Sequence, residues 1–176
     1  MIPSPEPTLC YIAHASLLAY VEALAQAIEA DAWRPDVLVG IGRGGLVPAT
    51  YLSHRTDIAM LSVDQSSRVA GFADDLLAKL ARQTREGARL LFVDDINDSG
   101  ATIAALRDTI RAQGGVADRL RVAVLIDNSR SIARVDYRAR TIDRRTDKDW
   151  FVFPWEAVAP RNRLVDDARD VPERLG

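Results

Sequence analysis

The sequence lacks several features that would assign it to a particular class of protein. Its single cysteine, Cys10, excludes a disulfide within the chain. No apolar run approaches the roughly 20 residues that a membrane-spanning helix needs. The first residues, MIPSPEPTLC, lack the basic and apolar regions of a secretory signal. The net charge of −2 gives no basic surplus for a nucleic acid or a membrane surface. We therefore expect a cytoplasmic protein with neither partner.

The sequence predicts one α/β domain across all 176 residues, of which 48% are hydrophobic. Residues 1–14 are expected to form an extended lead-in, and residues 161–176 a charged tail that is either a surface helix or disordered. Apolar runs alternate with segments of helical periodicity, which is typical of a mostly parallel sheet flanked by helices. The predicted strands are 37–41, 58–63, 89–93 and 121–126. The predicted helices are 15–33, the segment after GRGG, 76–83 and the segment that begins at ATIAAL.

Two glycine-containing polar turns follow predicted strands. GRGG occupies residues 42–45, and DDINDSGAT occupies residues 94–102. The carboxyl ends of parallel strands are where ligands bind in open α/β sheets. We therefore take these two turns as candidate binding segments.

The stretch DDINDSGAT combines paired carboxylates with a turn of small residues. A turn that enters a helix presents backbone N–H groups that suit a phosphate, and Ser99 and Thr102 add hydroxyl groups. Capping of the helix by Asp98 or Ser99 would explain one residue. It would not explain Asp94 and Asp95, which repel each other and need compensation from diol hydroxyls or a divalent cation. The pattern favours a site for a phosphate and a diol.

The GRGG segment is less specific. It matches neither the Walker loop nor G-x-G-x-x-G, and a purely structural turn is an open alternative. Arg43 between glycines could nevertheless present a guanidinium and backbone N–H groups to an anion.

With these residues in view, the sequence resembles type I phosphoribosyltransferases, which bind phosphoribosyl pyrophosphate (PRPP). FVDDINDSGAT is similar to the family's PRPP signature, and VGIGRGGLVPA to its pyrophosphate loop. DWFVFPWE resembles the segment that covers the nucleobase in the xanthine-guanine and hypoxanthine branch. The resemblance implies an enzyme that transfers a phosphoribosyl group to a purine base, with Mg²⁺ as cofactor. By resemblance alone, a homodimer is expected.

The resemblance also implies roles for individual residues. Asp94 and Asp95 would hold the ribose hydroxyls, directly or through Mg²⁺. Asp98 would exchange a proton with the purine ring. Trp150 would stack on the base, with core packing as the alternative, and the Phe151 carbonyl would contact the base edge. The 5′-phosphate would be bound by Asp98, Ser99, Gly100, Ala101 and Thr102, and the pyrophosphate by Gly42, Arg43 and Gly44. Ser66, Ser67 and Arg68 of the predicted loop 64–75 could contact phosphates, with a solvated loop as the alternative.

The sequence departs from the family pattern after the fourth strand. Asp127 stands where enzymes for 6-oxopurines carry a lysine, and a carboxylate accepts where an ammonium donates. Either a 6-amino base donates to Asp127 or this residue does not contact the base. Two alternatives therefore stay open: transfer to another base or amine, and a PRPP- or nucleotide-sensing regulator without turnover. The Arg-rich segment 130–145 could be a solvated face or a partner surface.

Overall fold

The structure is a computed structural model that describes residues 6–63 and 72–170. The strands are β1 (Leu9–Tyr11), β2 (Val37–Ile41), β3 (Met60–Val63), β4 (Leu90–Asn97), β5 (Leu120–Asn128), β6 (Tyr137–Ile142) and β7 (Trp150–Val152). Five of them form a parallel sheet in the order β3-β2-β4-β5-β6. The helices are α1 (His14–Ala30), α2 (Gly42–Thr56), α3 (Phe72–Arg85), α4 (Ala101–Ala112) and α5 (Arg161–Arg169), with a 3₁₀ turn at Ala117–Arg119.

Helices cover both faces of the sheet, and each face has its own apolar core. The predicted face of α1 packs on one side together with α2; its buried residues are Leu17, Val21, Leu24 and Ile28. The predicted face of α4 packs on the other side together with α3; its buried residues are Ile103, Leu106 and Ile110. Each such side chain stabilises the fold by roughly 1.5–3 kcal/mol through removal from water. The predicted α/β class with a mostly parallel sheet is confirmed.

The topology brings the two candidate turns together. β2 and β4 are hydrogen-bonded neighbours, with Gly40 opposite Val93. From β2 the chain crosses to β3 on one side, and from β4 it proceeds to β5 on the other. The switch point therefore lies between β2 and β4, and their carboxyl ends lead directly into GRGG and DDINDSGAT. A crevice at this position is the usual ligand site of such sheets.

Several boundaries differ from the sequence prediction. β4 continues to Asn97, so Asp94 and Asp95 lie within the strand, because Asp94 and Ile96 still pair with β5. α3 begins at Phe72, so residues 72–75 of the predicted loop 64–75 are helical. Residues 64–71, which include Ser66, Ser67 and Arg68, lie outside the described residues.

The two ends of the chain also contain regular structure. β1, within the predicted extended lead-in, pairs in parallel with β7 of the segment that was predicted to cover a base. α5 occupies much of the predicted charged tail and buries Leu164, Val165 and Ala168. Among the described residues, none of the helices has the length and apolar character needed to cross a membrane.

Candidate active site

A cavity of about 860 Å³ opens at the switch point between β2 and β4. Its wall is formed by the start of α2, the end of β4, the start of α4 and the segment from β7 to α5. The lining residues that come from the two candidate turns are Gly42, Arg43, Gly44, Asp94, Asp95, Ala101 and Thr102. The fold thus brings into one cavity the residues predicted to bind ribose, the residues predicted to bind pyrophosphate and part of the turn predicted to bind the 5′-phosphate.

Asp94 and Asp95 lie side by side at the end of the central strand. The backbone N–H of Asp95 donates to the Asp94 carboxylate at 3.0 Å, and that of Ile96 donates to the Asp95 carboxylate at 2.7 Å. Burial, and then the negative charge of Asp95, raises the pKa of Asp94 well above its usual value. Burial, and then the charge of Glu156, raises the pKa of Asp95 to about 7. Both carboxylates are therefore destabilised in their charged form, and a cation or hydroxyl donors would relieve them.

The GRGG segment forms the first turn of α2. Close packing explains two of its glycines: a Cβ on Gly45 would lie 2.0 Å from the Val93 carbonyl oxygen, and a Cβ on Gly44 would lie 2.4 Å from the Asp95 carboxylate. The backbone here thus passes directly against β4. Arg43 is exposed and forms no ion pair within the described part of the chain, which leaves its guanidinium available to a ligand at the positive end of the α2 dipole.

The predicted phosphate turn, residues 98–102, joins β4 to α4. Gly100 has a φ of 89°, a left-handed conformation that favours glycine, and it is the N-cap residue of α4 without any side-chain cap. The backbone N–H of Ala101 donates to the Ser99 hydroxyl at 3.2 Å. Capping therefore does not account for Asp98, whose carboxylate is engaged elsewhere.

Asp98 forms a buried ion pair with Arg144. Nε and Nη2 of Arg144 donate to the two carboxylate oxygens of Asp98, each at 2.8 Å in its shortest contact. Nη1 donates to the carbonyl oxygens of Asp147 and Asp149 at 3.2 and 2.7 Å. Arg144 is only 3% exposed, so this pair is shielded from solvent. Arg144 joins the phosphate turn to the segment that precedes β7.

The three predicted base contacts do not line the cavity. The Asp127 carboxylate accepts a hydrogen bond from the Asn97 amide at 2.8 Å and lies 3.9 Å from Arg138. Phe151 is buried, with the Arg144 guanidinium 5.2 Å from the centre of its ring. Trp150 is half-buried and precedes it on β7. Trp155 lines the cavity instead. The roles of Trp150, Phe151 and Asp127 at a base stay predictions.

Glu156 is a cavity residue that the sequence analysis missed. Its carboxylate accepts a hydrogen bond from the backbone N–H of Phe153 at 3.0 Å. Burial raises its pKa, the charge of Asp167 raises it further, and the charge of Arg43 lowers it. Glu156 therefore lies within electrostatic reach of the pyrophosphate candidate Arg43 and of α5. Its position directly after Trp155, in the segment thought to cover a base, was the available signal.

A comparison with known protein families agrees with this geometry. The profile of the phosphoribosyl transferase domain matches residues 11–159, most of the chain. The chain belongs to this family. The match contains the two turns that line the cavity and the segment that leads from β7 to its far wall, whereas α5 lies beyond it.

Individual members of the phosphoribosyltransferase family resemble the chain over most of its length. A xanthine-guanine phosphoribosyltransferase of Cereibacter sphaeroides is 30% identical over 74% of this chain and 74% of that protein. An orotate phosphoribosyltransferase of Sinorhizobium medicae is 27% identical over 75% of this chain, but the match spans only 54% of that protein. A purine phosphoribosyltransferase structure from Pyrococcus horikoshii superposes with a TM-score of 0.62 at 24% identity, over 86% of this chain and 95% of that one, which shows the shared fold.

Proposed function

We propose that this protein transfers the 5-phosphoribosyl group from PRPP to a purine base, with release of pyrophosphate and formation of a nucleoside monophosphate. The observation that carries the proposal is the assembly of Asp94 and Asp95 opposite Gly42–Gly44 in one cavity, with Ala101 and Thr102 of the phosphate turn beside them. These groups match the diol, the pyrophosphate and the 5′-phosphate of a single substrate.

The proposed reaction needs positioning and charge stabilisation more than a protein nucleophile. Loss of pyrophosphate from the anomeric carbon develops negative charge on the leaving group and positive charge on the sugar. Arg43 and the backbone N–H groups of the α2 start would stabilise the leaving group. Asp94 and Asp95 would fix the ribose through its hydroxyls, which aligns the anomeric carbon with the base. Asp98 is the proposed proton-exchanging group at the base.

The cavity fits Mg²⁺ as a cofactor. Among the described residues, no three His, Cys, Asp or Glu side chains are arranged to hold a metal ion. Mg²⁺ commonly uses one or two carboxylates together with substrate phosphates and water. Asp94 and Asp95 supply such carboxylates; burial, and then the charge of a neighbouring carboxylate, raises the pKa of each. When bound, Mg²⁺ would neutralise negative charge on the pyrophosphate.

The identity of the base is the least constrained part of the proposal. The relatives are named for bases as different as xanthine-guanine and orotate. A purine is favoured by the resemblance of DWFVFPWE to the purine branch. Asp127, which is engaged with Asn97, offers no evidence for a 6-oxo group. The alternatives are a different acceptor base and a regulator that binds PRPP without turnover.

A panel of acceptors tests the proposal. The full chain is mixed with PRPP, Mg²⁺ and, in separate reactions, guanine, xanthine, hypoxanthine, adenine, orotate or uracil, and pyrophosphate release is measured. We expect release with at least one purine, and none from a variant with both Asp94→Asn and Asp95→Asn. Release with orotate or uracil alone would contradict the purine assignment. Tight PRPP binding without release in any reaction would support the regulator.

A further inference from the structure

The helix α5 contributes to the cavity although it lies beyond the family match. Arg163, Leu164 and Asp167 line the same cavity as Arg43, Asp94 and Asp95. Leu164 is only 4% exposed and packs into the protein together with Val165 and Ala168. α5 is therefore held in place by its own apolar face, and its polar residues 163 and 167 reach the cavity from a fixed support.

The three arginines of α5 differ in their surroundings. Arg161 is paired with Glu6, and Arg169 lies 3.7 Å from Asp166. Within the described residues, the Arg163 side chain has neither a hydrogen bond nor an ion pair, and it alone of the three lines the cavity. Arg163 is exposed at the cavity wall, and an arginine there without a carboxylate partner is suited to an anionic ligand.

The charge balance of the cavity indicates why a second guanidinium would be needed. Its lining contains four carboxylates, Asp94, Asp95, Glu156 and Asp167, against two arginines, Arg43 and Arg163. The charges of both Arg43 and Asp167 influence the pKa of Glu156. The face of α5 that carries Asp167 therefore lies towards the start of α2. Arg163 precedes Asp167 by four residues, one turn earlier on this face.

We propose that Arg163 is a second ligand of the diphosphate group and acts together with Arg43. The inference rests on the proposed function and adds to it a residue from outside the family domain. Bidentate contact of a guanidinium with phosphate oxygens would hold the leaving group between α2 and α5 and offset the carboxylates around it. A ligand that lacks the diphosphate would not use Arg163.

Measurements of equilibrium binding distinguish a direct contact between Arg163 and diphosphate from the general effect of removing one positive charge from the protein. The Kd values of magnesium diphosphate and of ribose 5-phosphate are measured by calorimetry at one fixed Mg²⁺ concentration and ionic strength. The proteins are the unaltered full chain, Arg163→Gln and Arg169→Gln, which removes the same charge from the same helix outside the cavity. We expect Arg163→Gln to weaken diphosphate binding about tenfold or more, as for the loss of a charge-assisted hydrogen bond. Ribose 5-phosphate should change less than about twofold for both variants, which is within the effect of one remote surface charge.

The proposal would be overturned by unchanged diphosphate binding in Arg163→Gln, by an equal loss of affinity for both ligands, or by equal losses in the two variants. Failure of the unaltered protein to bind diphosphate would overturn it as well. Arg163→Lys, which keeps the charge without the planar fork, should bind diphosphate with intermediate affinity and covers the case in which the Gln variant is unstable. Absence of phosphoribosyl transfer in the acceptor panel would reject the proposed function. A selective loss of diphosphate binding in Arg163→Gln would still support Arg163 as a diphosphate ligand.

Discussion

Replacement of Asp95 by Asn tests whether the charged Asp95 carboxylate lowers the folding stability of the protein. Asp95 has a pKa of about 7 in the folded protein against 3.8 for an ordinary aspartate, chiefly because of burial and then because of Glu156. The folded state therefore binds this proton more tightly than the unfolded state. The contribution to stability is largest at low pH and falls as the pH rises from about 4 to about 7.

The size of the effect follows from the shift. About three pKa units correspond to roughly 4 kcal/mol at about pH 8, when the carboxylate is charged in both states. Asp95 is only half-buried by its accessible surface, so water reduces this penalty, and we take about 2 kcal/mol as the expected value. Asp95→Asn should stabilise the protein by this amount at about pH 8 and by less at about pH 5. Relief of the repulsion at Asp94 adds to the gain.

Urea unfolding at several pH values measures this difference directly. The matched control is Asp118→Asn on the exposed 3₁₀ turn before β5, at the amino ends of the strands and away from the cavity. This variant should show no gain in stability at about pH 8. If Asp95→Asn is no more stable than the unaltered protein at about pH 8, the carboxylate is not destabilised by its surroundings and the argument fails. The same variant should bind PRPP less tightly, as expected when a functional site costs stability.

Two further substitutions test the supports of the cavity. Arg144→Met should destabilise the protein by about 3 kcal/mol in urea unfolding, because Asp98 is left without its buried partner. Adding Asp98→Asn to this variant should restore part of the lost stability. If the effects of the two substitutions on the free energy of unfolding are simply additive, the ion pair is contradicted. Gly45→Ala should cost about 2 kcal/mol or more in thermal unfolding, since the new Cβ would meet the Val93 carbonyl oxygen at 2.0 Å. Gly87→Ala, at a φ of 103° with no atom within 4 Å, should cost only about 1 kcal/mol, and equal losses at the two glycines would refute the packing argument.

The local parts of the site could be predicted from the sequence. A buried strand followed by GRGG, and another followed by DDINDSGAT, place the candidate residues of each turn within a few positions of each other, so no tertiary information is needed to group them. The strand β2 was predicted with its observed bounds, 37–41. The end of β4 was missed because two aspartates interrupt the apolar run, although hydrogen bonding to β5 continues past them. The apolar pattern predicts only the buried part of the strand, whereas the hydrogen bonding between β4 and β5 continues beyond the last apolar residue of the run.

The far wall of the cavity could not be predicted in the same way. Arg163 and Asp167 reach the cavity because α5 packs its apolar face against the domain, whereas Glu156 belongs to the turn that follows β7. The sequence indicates that this tail is charged and could be a surface helix, but not which of its charges face inward. That choice depends on the packing of Leu164, Val165 and Ala168, which a single sequence does not specify.

Arg144 illustrates why an Arg-rich segment cannot be assigned as a whole. Neighbours such as Arg138 and Arg145 are exposed, whereas Arg144 is buried with Asp98. A carboxylate offers about four acceptor sites, and Arg144 donates to Asp98 in three contacts of 2.8–3.1 Å. The side-chain amide of Asn128 donates to the same carboxylate at 3.5 Å. Little of the Asp98 carboxylate is therefore left for a base, and its proposed proton exchange requires a shift of Arg144. Because Arg144 also donates to the carbonyl groups before β7, such a shift would move the segment that was predicted to cover the base as well.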